Sequence, residues 1–225
     1  MIIYGKNVAR DTIMDNDIKR CYMYKNFNDK DIIKMLNDKN TKIIYKDKRG
    51  LDELTKYGNH QGIALEVEDY EYKDMDVIKD GIVVMLDHIT DPHNLGAIIR
   101  TCEAAGVKNI IIPKNRSVMV TGTVSKVSAG TLNKVNIIPV TNLVNTINKL
   151  KKDGFWVVGS DMEGTDYYDI DYSGKIVIVI GSEGKGMTRL VRENCDFIAS
   201  IPMNGTVNSL NASVSLGIIL FRAVR

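Results

Sequence analysis

Ile176-Val177-Ile178-Val179-Ile180-Gly181-Ser182-Glu183-Gly184-Lys185-Gly186-Met187 decides the architecture of this chain. Five β-branched residues in succession fit a strand buried on both faces, the signature of a parallel sheet. Three glycines follow at once, and they let the backbone come close to a ligand. Helix-like sequence resumes at 188–194. The same alternation extends on both sides. Strand-like runs lie at 82–86, 109–112, 136–140, 156–159 and 197–201. Helix-like runs lie at 95–105, 122–132, 143–151 and 210–224. The pattern predicts an α/β fold with a mostly parallel sheet covered by helices. Ligands of such sheets sit beyond the carboxyl ends of the strands.

Upstream, residues 1–72 read as a smaller α/β unit. Strands are expected at 18–24, 41–45 and 62–67. Helices are expected at 29–36, capped by Asn28, and at 51–57, ended by Gly58. An Asp-, Glu- and Tyr-rich run at 66–80 breaks this pattern, so the boundary is expected near residue 73, with a second domain at 73–225. Residues 1–60 carry 13 basic and 9 acidic side chains, and residues 61–80 carry 2 and 7. Basic segments on either side of an acidic hinge are compatible with phosphate contacts. On charge alone, ordinary solvated surface is the favoured reading.

The 225 residues are 44% hydrophobic, enough for one large or two small cores. No apolar stretch reaches membrane-spanning length, and the start of the chain lacks the features of a secretion signal. Cys21, Cys102 and Cys195 are odd in number and far apart, which argues against a disulfide framework. No Cys/His spacing suggests a metal site. A reducing cytoplasmic location is the simplest expectation.

Three constellations follow expected strands. In the first, Asp87 ends a strand, Asp91-Pro92-His93 forms a turn, Asn94 is expected to cap a helix, and Arg100 lies in its second turn. The planar guanidinium of Arg100 suits a phosphate or carboxylate. His88 and His93 read as turn residues. The second constellation is the glycine loop with Glu183. It is not a phosphate-binding P-loop, because Met187 stands where lysine is required. Its glycine order is also reversed for a dinucleotide fingerprint. The third runs from Ile201-Pro202-Met203 through Asn208, Ser209, Leu210 and Asn211 into an apolar helix. That helix should be buried, and a subunit contact would bury it. Each constellation alone fits a capped helix or a tight turn. All three lie at carboxyl ends of strands and can meet in one cleft.

Together these stretches resemble the three sequence motifs of the SpoU (TrmH-like) RNA 2′-O-methyltransferases. The resemblance rests on Asp91-Pro92-His93-Asn94-Leu95-Gly96 with Arg100, on Gly181-Ser182-Glu183-Gly184, and on Ile201-Pro202-Met203 with Ser209-Leu210-Asn211. It covers residues 81–225. Tyr4-Gly5 and His60-Gln61-Gly62-Ile63 resemble the RNA substrate-binding domain of the ribosomal-RNA branch, which is similar to small ribosomal proteins. The resemblance implies a knotted (trefoil) parallel-sheet domain, a homodimer, and S-adenosylmethionine as cofactor. It implies catalytic roles for Asn94, Arg100, Glu183, Ser209 and Asn211. It puts Gly181, Ile201, Met203 and Leu210 at the cofactor, with Thr141 and Gly159 as further candidates. The implied substrate is a guanosine ribose of 23S ribosomal RNA. Alternatives are a transfer-RNA ribose methyltransferase, a non-catalytic RNA-binding assembly factor, and a nucleotide-dependent oxidoreductase, which the glycine order disfavours.

Overall fold

The computed structural model describes residues 1–15 and 18–225. The chain forms two compact units. One comprises Met1–Glu71 with Val120–Leu132, and the other Tyr72–Met119 with Asn133–Arg225.

The first unit begins with β1 (Ile2–Tyr4) and α1 (Lys6–Asp15). Next come β2 (Ile18–Tyr24), α2 (Lys30–Asp38), β3 (Ile43–Lys46), α3 (Lys48–Leu54) and β4 (Ile63–Val67). The sheet order is β1-β4-β2-β3, with β2 and β3 parallel and β4 antiparallel to both its neighbours. Ile13, Met23, Ile32, Leu36 and Leu65 form a core cluster of this unit. Three sequence expectations change here. The cap of α2 is Asp29, whose carboxylate accepts the Ile32 N–H at 3.3 Å, so Asn28 precedes it. Helix α3 starts three residues earlier than expected, capped by Asp47. Gly58 does not end it. Its absent Cβ makes room for the ring of Tyr4.

The second unit starts with β5 (Ile82–Asp87), α4 (Pro92–Ala104) and β6 (Asn109–Pro113). The chain then joins the first unit through α5 (Gly122–Val127), much shorter than the helix expected over 122–132. There Tyr4 Oη and Thr123 Oγ1 are 3.2 Å apart, and Lys126 Nζ donates to the Asn59 carbonyl at 2.8 Å. The second unit resumes with β7 (Asn136–Val140), α6 (Leu143–Lys152), β8 (Trp156–Asp166) and β9 (Ile176–Gly181). It ends with α7 (Arg189–Glu193), β10 (Phe197–Ser200) and α8 (Ala212–Ala223). The sheet order is β10-β8-β9-β5-β6-β7, and every pair is parallel.

Central strands β5 and β9 bury nearly every side chain, as the apolar run 82–86 and the unbroken Ile/Val run 176–180 require. Strand β8 is longer than expected because its pairing with β10 slips. Ile198 faces Gly159, but Ala199 faces Thr165. Residues 160–164 therefore loop out of the ladder. After β10, at one edge of the sheet, the chain turns back, and α8 packs on α4 and β9. Leu216, Ile219 and Leu220 of α8 are fully buried, while Val214 (48%), Phe221 (45%) and Val224 remain exposed.

Candidate functional site

Strand β5 delivers Asp87 fully buried at its carboxyl end. Its Oδ2 accepts the backbone N–H of Thr188 and, at 2.8 Å, the Thr188 hydroxyl, while Oδ1 pairs with His88 Nδ1. Thr188 leads into α7, so Asp87 ties down the exit of the glycine loop. In the Asp87→Ala variant two donors at Thr188 lose their acceptor. Urea unfolding should show a loss of about 1–3 kcal/mol.

Helix α4 is capped by Asp91, which accepts the His93 N–H at 2.9 Å, with Pro92 as first helical residue. Asn94 is thus the third residue of the helix rather than its cap, and its side chain is free for other work. At 5% exposure, its Nδ2 donates to Glu183 Oε1 at 3.0 Å, and its Oδ1 accepts Asn211 Nδ2 at 2.9 Å. Asn211 Nδ2 also donates to Glu183 Oε1, closing a three-membered ring. Asn211 Oδ1 meanwhile caps α8 through the Ser213 N–H at 2.9 Å. Residues 94, 183 and 211, one from each constellation, are in direct contact.

The glycine loop is a tight reversal. Ser182 and Gly186 exchange backbone hydrogen bonds of 3.0 and 2.8 Å, and Gly184 and Gly186 take left-handed φ of 74° and 63°. Gly181 lies so near the backbone of Gly186 and Met187 that a Cβ would overlap both. This loop forms one wall of a cleft of about 870 Å³. Residues 201–210, which hold no helix or strand, form another, and the looped-out Ser160, Asp161 and Met162 a third.

Gly181, Glu183, Ile201, Met203, Ser209 and Leu210 all line the cleft. Asn94 and Asn211 reach it through Glu183. Thr141 does not. It follows β7 at the opposite edge of the sheet from β10 and is exposed. Gly159 sits just inside the wall, where Met187 Cε and Cys195 Sγ would lie 2.6 and 2.7 Å from a Cβ, and the cleft begins at Ser160. Arg100 is in the third turn of α4 rather than the second, because the helix starts at Pro92. It is exposed and pairs with no carboxylate among the described residues. Asp87 and Thr188 were not anticipated as a pair, although an aspartate ending a buried strand is a readable signal. The 160–162 wall had none, since the slip in pairing leaves no mark in the sequence. Burial pushes the Cys195 thiol up to about 12, so no thiolate nucleophile stands beside this cleft at neutral pH. No group of three or more metal-ligating side chains occurs among the described residues.

The SpoU rRNA Methylase family model matches residues 81–221. A second, for RNA 2′-O ribose methyltransferase substrate binding, matches residues 2–73. A Staphylococcus aureus protein, named for the TrmH family of tRNA/rRNA methyltransferases, is 43% identical over 237 residues, spanning 100% of this chain and 95% of its own. The AdoMet-bound rRNA methyltransferase from Sinorhizobium meliloti is 26% identical with a TM-score of 0.79, over 99% of this chain and 85% of that one. The SpoU methyltransferase AviRb from Streptomyces viridochromogenes, solved with AdoMet, has a TM-score of 0.81 at 23% identity, over 100% and 89% of the two chains. At that identity the likeness speaks for the fold alone.

Proposed function

Because the chain belongs to the SpoU family of RNA methylases, we propose that it transfers a methyl group from S-adenosylmethionine to a ribose 2′-hydroxyl of 23S ribosomal RNA, at a guanosine. The observation that carries this reading is the Asn94–Glu183–Asn211 ring at a cleft walled by the glycine loop and residues 201–210. The cleft has the size of a small-molecule site. Its walls offer backbone donors and acceptors beside Ile180, Ile201, Met203 and Leu210, which suits a nucleoside with apolar faces and polar edges. Gly181, Ile201, Met203 and Leu210 would hold the cofactor. Thr141 and Gly159 would act through the strands behind it.

S-adenosylmethionine supplies a methyl already activated on a sulfonium. The protein then has to align the ribose and manage one proton. Glu183, with Oε1 held by two amides, is fixed in orientation and can direct the hydroxyl. Ser209 and Asn211 shape the pocket where α8 begins. Arg100 serves as a phosphate anchor, its planar guanidinium suited to gripping two phosphate oxygens at once. It lies outside the cleft lining, so its part calls for a second subunit. The exposed apolar residues Val214 and Phe221 of α8, with Val224 just after it, favour a homodimer. A knotted path of the C-terminal segment and a cytoplasmic setting belong to the same proposal. Among the described residues no helix is long and apolar enough to cross a membrane.

The test combines calorimetry with methyl incorporation. S-adenosylmethionine should bind and NAD should not. Label should enter 23S RNA as 2′-O-methylguanosine, with none in the equivalent DNA, which lacks the accepting hydroxyl. Preferential labelling of transfer RNA would replace the ribosomal substrate. Binding without transfer to either RNA would overturn the enzymatic reading.

A further inference from the structure

The first unit holds a cavity of its own, about 310 Å³ in volume. Tyr24 and Phe27 contribute aromatic rings to it, and Tyr24 is 36% exposed. Lys6 Nζ lies 5.2 Å from the centroid of the Phe27 ring, and Lys48, the first residue of α3, adds an exposed ammonium. Asn26, Asn28 and Gln61 bring side-chain amides. Among the described residues no carboxylate lines this cavity. Rings, amides and cations without acids suit a polyanion that carries flat bases.

The turn beneath is built in detail. Gln61 adopts a left-handed φ of 52°, and its Oε1 accepts the Lys6 N–H at 2.9 Å at the start of α1. That leaves the Gln61 NH2 as a donor. His60 Nδ1 accepts the Gly62 N–H at 2.9 Å, so its proton sits on Nε2, which faces Asp52 Oδ1 at 3.1 Å. Gly62 has φ +85°, and a Cβ there would stand 3.1 Å from Phe27 Cδ2. The glycine lets the aromatic wall close onto the turn. Gln61 thus holds a left-handed backbone with its side chain tied to the start of α1.

We propose that this cavity is a nucleotide subsite for single-stranded RNA, with a base against the Tyr24 and Phe27 rings and the adjoining phosphate between Lys6 and Lys48. It rests on the RNA-methyltransferase reading and adds a recognition point remote in sequence from the cleft motifs. Stacking accepts any base, so the subsite selects unpaired strands rather than a sequence.

The experiment measures fluorescence anisotropy of a short labelled single-stranded RNA with the full-length protein. Tyr24→Ala and Lys48→Ala should each weaken binding about tenfold, while Tyr24→Phe retains it. Lys48→Ala should also reduce the salt dependence by about one counterion. S-adenosylmethionine binding should be the same in all variants. RNA carrying 4-thiouridine should cross-link to the peptide containing Tyr24 and Phe27. Wild-type RNA affinity in both alanine variants, or cross-links confined to other peptides, overturns the subsite and leaves the functional reading standing. A wild-type protein that takes up no S-adenosylmethionine and methylates no RNA overturns the functional reading instead. Weakened RNA binding in the variants would then still uphold the subsite.

Discussion

Methyl transfer by the Glu183→Ala and Arg100→Ala variants is expected to fall about 100-fold or more, the scale set by loss of alignment at a reacting centre. The two should differ in stability. Glu183 accepts from both Asn94 and Asn211, and Asn94 is buried. Removing the carboxylate strands the Asn94 amide and should cost about 1–3 kcal/mol. Arg100 is exposed and has no carboxylate partner among the described residues, so its replacement should shift stability by no more than about 0.5 kcal/mol. Arg100→Lys should recover little activity, because an ammonium cannot grip a phosphate with two parallel bonds. Near wild-type turnover in a folded Arg100→Ala protein would remove that residue from the mechanism.

A larger effect on cofactor binding is expected from Gly181→Ala. The added methyl would meet the backbone of Gly186 and Met187, which no rotamer change can move aside. The reversal between Ser182 and Gly186 must then open, and with it one wall of the cleft. Calorimetry should find S-adenosylmethionine binding lost, and overpacking should cost about 1–3 kcal/mol in stability. Gly184→Ala is the matched control. A Cβ at 184 meets nothing within 4 Å, and the penalty is confined to a φ of +74°. That is about 1–2 kcal/mol of backbone strain with the wall intact. Equal affinity in wild type and Gly181→Ala would mean that the loop does not shape the cofactor site.

The parallel sheet was readable because β6 and β9 are runs of β-branched residues and β5 an apolar run over 82–86, patterns that suit a doubly covered strand. The polar residues of the three motifs were readable for a different reason. Asn94, Glu183 and Asn211 each belong to a segment that follows a strand and contains a turn-forming residue, Pro92, Gly184 and Gly205. Their mutual hydrogen bonds were not readable. They depend on Asp91 taking the capping role, and aspartate and asparagine compete for that position on nearly equal terms. Strand β1 has three residues, too few for alternation to register. Helix α1 buries Val8, Ala9, Thr12 and Ile13 at helical spacing, a stripe partly hidden by a threonine and an alanine. The looped-out wall at 160–162 arises from a shift in pairing with β10, a long-range choice that no local window records.

Gly122 approaches the Ile2 carbonyl too closely for any larger residue, and Tyr4 meets Thr123. The amino-terminal unit is therefore discontinuous, finished by amino acids that emerge from the ribosome some fifty positions after its last strand, as a count from Val67 to Val120 shows. During synthesis it has to wait, with the face of β1 that α5 will cover still bare, until the first strands of the other unit have been made. A gene fragment stopped at the apparent boundary would encode a fold lacking one of its pieces.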